Sequence, residues 1–392
     1  VRLALSRLLA ISAASLATLF AFPAQAQNIQ FHGLIELNAS SRGPAFDVNG
    51  LSMGDSPFDP WGLRLFAEGA VSPKLSVFTQ AVLHDPSGPY VEGAYVVFNP
   101  TVSRDFHLMA GKIPWPIGTY AARSYSDKNP LIGKPLMYQY ATSLNWYRIP
   151  PNADAIIAAG GTGQGGSGYG GGGRGMAVVD DSYWDTGAVI TGSARPIEYA
   201  LGGTTGTPGW GNTGEDENRG KTALGRLGIA PIPGLRAGVS GAYGPYLVED
   251  LDPYLPTNRT ANDYHQKLVM ADADLESGYG ILRAEGYSNA WESPNVGDLR
   301  VHGGYVEAQW TLMPGLIFAS RGEIMRFSSL RDSSGVDHPW DHDRDRIESG
   351  LCYRPERDLR IKAVWQVNQE HSSPGAPAKR YDMLALGISA SF

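Results

Sequence analysis

The chain has 392 residues, among them 49 glycines and 27 prolines, with 18% charged side chains and a mean hydropathy of -0.21. Such a composition excludes both a disordered chain and a helical bundle. A net charge of -7 without a basic stripe speaks against nucleic-acid binding, and one cysteine, Cys352, excludes an intramolecular disulfide.

Residues 1–26 place Arg2 and Arg7 ahead of an apolar run over 8–22 and a small-x-small site at Ala24-Gln25-Ala26. This pattern predicts a cleaved secretory signal peptide and a mature chain from about Gln27. A signal anchor is the alternative, but the run is shorter than the ~20 apolar residues a spanning helix needs. Removing the two arginines takes the formal charge from -7 to -9. No later stretch is apolar enough to cross a membrane as a helix, so a membrane-spanning form of 27–392 has to be a β-barrel.

Past residue 27, runs of alternating apolar and polar residues are separated by two kinds of connection. Short Pro- and Gly-rich turns fall at 72–74, 99–105, 192–196, 231–234, 276–278, 313–315 and 354–358. Longer polar segments fall at 39–61, 114–181, 207–221, 244–264, 290–301, 328–343 and 370–380, with one tight exception at 86–89. One strand at the start, two per short turn and one at the end give about 16 strands, an even number. The count becomes about 18 if the third long segment hides a hairpin near 146–158 and 176–180. Short turns on one side and long loops on the other are the asymmetry of an all-β, antiparallel, up-and-down transmembrane barrel. A barrel of this size is expected to enclose water instead of a packed core.

Side-chain parity gives the two faces, because alternate residues of a strand point to opposite sides. Ile361, Ala363, Trp365 and Val367 alternate with Arg360, Lys362, Val364 and Gln366; Val306, Ala308, Trp310 and Leu312 alternate with Glu307, Gln309 and Thr311. The polar face also carries Arg64 with Glu68, Arg283 with Glu285, Arg321 with Glu323 and Arg346 with Glu348. These are the expected lumen-wall residues. A soluble β-sandwich would bury the apolar face instead, but seldom needs so many hairpins of one asymmetry. Tyr90, Tyr95, Trp184, Tyr199, Trp291 and Tyr353, near strand ends, are candidates for interfacial aromatic girdles.

The last segment, 381–392, places Leu384, Leu386, Ile388, Ala390 and Phe392 on one face and Met383, Ala385, Gly387, Ser389 and Ser391 on the other. A final strand ending on an aromatic resembles the closing strand of bacterial outer-membrane β-barrels. In that family the terminal aromatic, here Phe392, is part of the signal read by the insertion machinery.

The third long segment, 113–181, is the most informative. It opens on Gly111-Lys-Ile-Pro-Trp-Pro-Ile-Gly118 and continues through apolar and aromatic stretches at 120–127, 129–136, 137–140 and 142–146. Apolar residues in an exterior loop are unfavourable in water unless they pack, so the loop is expected to fold into the channel and narrow it. General porins constrict themselves with their third external loop, and the Gly-Lys-x-Pro-x-Pro-x-Gly pattern resembles that of the phosphate-selective porin group of 16-stranded barrels. The chain does not carry the arginine ladder or lysine cluster of those anion channels, since its lumen alternates signs. Constriction candidates are Lys112, Arg123, Lys128, Lys134, Tyr138, Tyr140 and Arg148, facing Arg64, Glu68, Arg346, Glu348, Arg360 and Lys362 as an electrostatic filter. The alternative is that these charges are solvated and without influence on transport.

Other motifs point elsewhere only weakly. Two literal G-x-G-x-x-G matches at 161–166 and 168–173 lack a surrounding strand and helix. The Asp- and His-rich segment 337–345 has the donors for a divalent ion but not the spacing of a calcium loop. His84, Asp85 and Ser87 have the residue types of a hydrolase triad, without a nucleophile elbow. The reading is therefore a porin in the bacterial outer membrane, with no catalytic residues, metal site or cofactor. The partners it implies are outer-membrane lipid and lipopolysaccharide, the barrel-assembly machinery and small hydrophilic solutes, with a homotrimer among the assemblies it admits. Two other readings stay open: a barrel sheathing a periplasmic electron carrier or secretion partner, and an outer-membrane hydrolase.

Overall fold

The computed structural model describes residues 29–41, 61–84, 88–101, 105–163, 175–180, 183–210, 217–372 and 377–392. Residues 1–28, which include the segment expected to be a signal peptide, most of the first long loop, residues 85–87 and the glycine run from 164 lie outside them.

Sixteen antiparallel strands close into one barrel. In chain order they are β1 (Ile29–Ser40), β2 (Trp61–Ser72), β3 (Leu75–His84), β4 (Gly88–Phe98), β5 (Phe106–Pro114), β6 (Trp184–Ala194), β7 (Ile197–Thr204), β8 (Thr222–Ile232), β9 (Leu235–Pro245), β10 (His265–Ser277), β11 (Gly280–Ser293), β12 (Gly297–Met313) and β13 (Leu316–Phe327). A small separate hairpin, β14 (Ser329–Arg331) with β15 (Asp337–Pro339), follows. The barrel then resumes with β16 (Asp343–Glu356), β17 (Leu359–His371) and β18 (Lys379–Ser391). Each strand pairs with its neighbours in sequence, β13 pairs across the small hairpin with β16, and β18 closes on β1 with Leu34 opposite Ser391. Closure removes every open strand edge, which a lipid environment would otherwise leave unsatisfied.

All seven short turns are hairpin ends. The third long loop contains no strand pair at 146–158 or 176–180, so sixteen is the count and eighteen is not. One expected loop differs: 290–301 continues as ladder, with Ser293 opposite Gly297, so β11 and β12 turn tightly at 294–296. The polar residues there pointed to a loop, yet a ladder extending beyond the apolar band carries polar side chains on both faces.

Parity holds along the wall. Val306, Trp310, Ile361, Trp365, Leu384, Leu386 and Ile388 are all exposed, while Glu307, Lys362, Val364, Gln366, Met383 and Ala385 are buried inside. An outward apolar band is what a lipid-facing barrel presents. Ala308 lies on that outer face between Val306 and Trp310, whereas Gln309 points inward and donates to Glu307 at 2.8 Å. Ala308→Arg is therefore expected to cost about 2–4 kcal/mol of folding free energy, and Gln309→Arg little. Urea titrations in lipid vesicles would check this, and equal losses at both positions would mean the register of β12 is wrong.

Of the girdle candidates, Tyr199 and Tyr353 lie on the outer face. Tyr95, Trp184 and Trp291 do not: they pack inside, Tyr95 and Trp184 with Phe78 and Trp291 against Trp340. Phe392 is exposed at the barrel's seam, its backbone N–H and C=O both bonded to Gly33.

The largest departure from expectation is the lumen, which holds a substantial packed core. Ile113 at the end of β5 and Trp115, Ile117, Tyr120, Leu136 and Met137 from the third loop are buried against inward wall residues such as Met270, Tyr287 and Tyr305. The loop fills much of a space that strand count alone assigns to water.

Candidate functional site

The third loop enters the barrel directly after β5. It contains a short 3-10 turn (Ala121–Arg123), helix α1 (Leu136–Gln139) and helix α2 (Ala153–Ala158). The Asn152 side chain caps α2 by accepting from the Ala155 N–H at 2.9 Å. Gly118 shows why the first part of the loop can approach the wall: its φ is +62°, and a Cβ there would come within 3.0 Å of Glu285 Oε1 and Met270 Cε on the wall and 2.6 Å of the Tyr138 hydroxyl within the loop.

Two wall clusters hold the loop. Glu285 on β11 accepts from the Thr119 N–H at 2.5 Å, the Thr119 hydroxyl at 2.9 Å, the Tyr120 N–H at 2.9 Å and the Tyr138 hydroxyl at 2.6 Å. Further round, buried Arg321 donates to Glu323 at 2.8 Å, Glu307 at 3.2 Å, Glu348 at 2.6 Å and the Gly133 carbonyl at 2.8 Å. The loop answers with two donors of its own, Gly133 N–H to Glu348 at 2.8 Å and Leu136 N–H to Glu323 at 2.5 Å. Arg346 donates to the Lys134 carbonyl at 2.9 Å, and Lys362 to the Leu131 carbonyl at 3.4 Å. Buried ions are tolerated only when paired and hydrogen-bonded in this way.

The predicted constriction residues divide sharply. Arg123 is not poised over open water: it is tied to Glu307 at 3.0 Å and the Tyr305 hydroxyl at 2.6 Å, with its guanidinium 4.8 Å from the Tyr120 ring centre. Tyr138 is fully buried on Glu285, and Tyr140 donates to Asp341 at 2.8 Å and accepts from Arg344 at 3.3 Å. Burial drives both phenols well above their ordinary pKa, so they stay protonated and keep donating to their carboxylates. Arg148 is exposed on the loop.

Lys112 points the wrong way altogether. Its strand partners Ala94 and Thr186 are both exposed on the outer wall, and its ammonium reaches the Val91 carbonyl at 2.9 Å. Only Lys128 and Lys134 of the loop candidates line open space.

The wall residues divide likewise. Glu285, Glu307, Arg321, Glu323, Arg346, Glu348 and Lys362 lie beneath the loop as anchors. Arg283 lies beside Asp274, Glu276 and Glu307 at 3.6–3.8 Å. Arg360 stands on the inner face opposite Ser389, and Glu68 lies 4.0 Å from His32 near the short-turn end. Arg64 faces the cavity and is held by Glu36 at 2.8 Å and Glu92 at 3.7 Å.

A cavity of about 480 Å³ lies between the loop and the wall of β2 to β6. Phe78, Tyr95 and Trp184 form its wall side; Trp115, Tyr125 and Tyr183 belong to its loop side. Sequence parity missed Glu92, which also lines it, because β4 carries a bulge there: Gly93 pairs with Gln80 and Val91 with Ala81, leaving Glu92 as the extra residue. Gly93 in turn gives Trp184 its seat, since a Cβ would lie 2.4 Å from the indole ring.

The residues of segment 337–345 disperse to separate partners. Asp341 accepts from Tyr140, the Ser143 N–H and the Gly161 N–H; Asp337 pairs with Arg331, Asp345 with Arg326 and His371, and His342 with Glu370. Its role is to latch the third loop to the loop after β13. Cys352 is buried on the inner face opposite Lys362.

No protein-family model and no curated protein matches the sequence. Solved structures do resemble the fold. The anion-selective porin of Comamonas acidovorans aligns at TM-score 0.58 and 10% identity, over 93% of this chain and 99% of that one. OmpF of Salmonella typhi, in complex with daunomycin, aligns at 0.58 and 12%, over 93% and 97%. A trimer form of OmpT, an outer membrane protein of Vibrio cholerae, aligns at 0.56 and 12%, over 93% and 99%. With sixteen strands closed in antiparallel order over nearly its whole described length, the chain has the barrel fold of the porins.

Proposed function

We propose that the protein is an outer-membrane porin through which small hydrophilic solutes or ions diffuse passively. The observation that carries this reading is the third loop, folded inward and anchored on Glu285 and Arg321 while leaving a cavity against β2 to β6. A barrel built to sheath a protein partner would need a wide, unobstructed lumen, and this loop removes it. The outward apolar band supports a place in the membrane, and the alternating C-terminal strand ending on Phe392 supports delivery by the barrel-assembly machinery after removal of residues 1–26. Lipopolysaccharide around the barrel and a homotrimeric assembly belong to the same reading, the latter supported by the trimer form of the Vibrio cholerae neighbour. Asp85 and Ser87, on which the hydrolase reading rests, lie outside the described residues.

The test is ionic current through the purified, refolded protein in a planar lipid bilayer. Discrete steps are expected; a folded barrel that carries none would leave the sheath reading.

A further inference from the structure

The cavity beside the loop has two chemically different sides. On the wall, Phe78 and Trp184 lie with ring planes 5° apart and centres 6.2 Å apart, and Tyr95 sits 5.0 Å from Phe78. Met109 and Val189 extend this apolar surface. On the loop, Lys128 and Lys134 line the same cavity, their ammonium groups 5.6 Å from the Tyr125 ring centre and 5.7 Å from that of Tyr183. The remaining charges are Arg64 and Glu92 in the lining, with Glu36 bonded to Arg64. Three cations (Arg64, Lys128, Lys134) against two anions (Glu36, Glu92) leave one net positive charge, and the lysines are on the loop side, away from the Arg64 carboxylates' strands.

A wall of three aromatic rings, Tyr95 tilted by 35–37° to the other two, in one cavity with two lysines matches one kind of solute better than others. An apolar ring gains by leaving water for the Phe78, Tyr95 and Trp184 surface. A carboxylate on that ring meets ammonium groups in surroundings that screen less than bulk water. An aromatic cation would have the same stacking surface but would meet the two lysines. A small acid without a ring would lack the stacking.

We propose that this passage favours small aromatic carboxylates, the ring sliding along Phe78, Tyr95 and Trp184 while the carboxylate is held near Lys128 and Lys134. The proposal rests on the porin reading and names the solute class for the same site. It assigns to Trp184, a girdle candidate from its place near a strand end, the part of a specificity-determining residue.

The experiment uses the full mature chain in planar bilayers carrying a potassium chloride current, with millimolar benzoate, acetate or benzylammonium added to one side. Benzoate is expected to interrupt the current for resolvable times, and acetate and benzylammonium to do so far less. Trp184→Ala should shorten the benzoate interruptions about three- to tenfold, the worth of one aromatic contact. The double change Lys128→Gln and Lys134→Gln leaves Arg64 against Glu36 and Glu92 and should reverse the preference, so that benzylammonium interrupts the current more than benzoate does. The three-probe comparison on the unaltered protein decides the matter even if a variant fails to fold. Acetate or benzylammonium interrupting a conducting channel as benzoate does would overturn the proposal while leaving the porin reading intact. A folded protein with no chloride current would overturn both.

Discussion

Replacing Arg321 by Met is expected to destabilise the barrel by about 3–5 kcal/mol, because it strands a group of buried carboxylates without their common partner. Arg321 is wholly inaccessible to solvent and its guanidinium reaches Glu307, Glu323 and Glu348 as well as the Gly133 carbonyl. Arg123 also serves Glu307, and Arg346 lies 3.8 Å from Glu323, but Glu348 has no second arginine or lysine within ion-pair distance among the described residues. Arg321→Lys keeps the charge yet cannot serve four acceptors in one plane, so it should recover only part of the loss. The midpoint of urea unfolding, read by the change in electrophoretic mobility of the folded barrel, measures both. An Arg321→Met midpoint equal to that of the unaltered protein would show that the carboxylates are solvated and the loop is not seated on them.

Deleting residues 131–140 should leave the barrel folded and raise its single-channel conductance severalfold. The wall is held by its own ladders, with β11, β12, β13 and β16 paired over most of their lengths. The deleted segment contributes Leu131, Leu136, Met137, Tyr138 and Tyr140, all buried in the lumen. Once it is gone, water reaches Glu285, Glu323, Glu348 and Arg346, so the ions lose loop partners without being left dry. The same deletion should relax discrimination between small and larger sugars in liposome-swelling assays. A deletion variant that folds and yet conducts and excludes as before would place the obstacle elsewhere.

The fold was legible because it depends on two signals that survive in a single sequence: alternation along strands and the contrast between short and long connections. Both fail at definite places. The ladder of β11 and β12 runs on through polar residues where alternation in hydropathy stops. The bulge at Glu92 shifts parity by one, and the outward Lys112 follows the register of β5 while its place before a loop suggested the lumen. The inward loop was legible from its apolar stretches. What those stretches could not show is which charges the loop would cover. Arg321, Glu348 and Arg123 look the same in sequence whether they face a channel or anchor a loop, since the difference lies in contacts between residues nearly two hundred positions apart. The aromatic lining was hidden for a related reason: Tyr95 and Trp184 sit near strand ends, and only the third dimension tells an interfacial ring from one turned into the lumen.

The most direct measurement is the conductance of single molecules of the unaltered protein in potassium chloride. A porin narrowed by its own loop should give discrete steps whose size grows with salt concentration and stays well below that of the 131–140 deletion. Folded barrels that insert into the bilayer and pass no current at any salt concentration would contradict the channel.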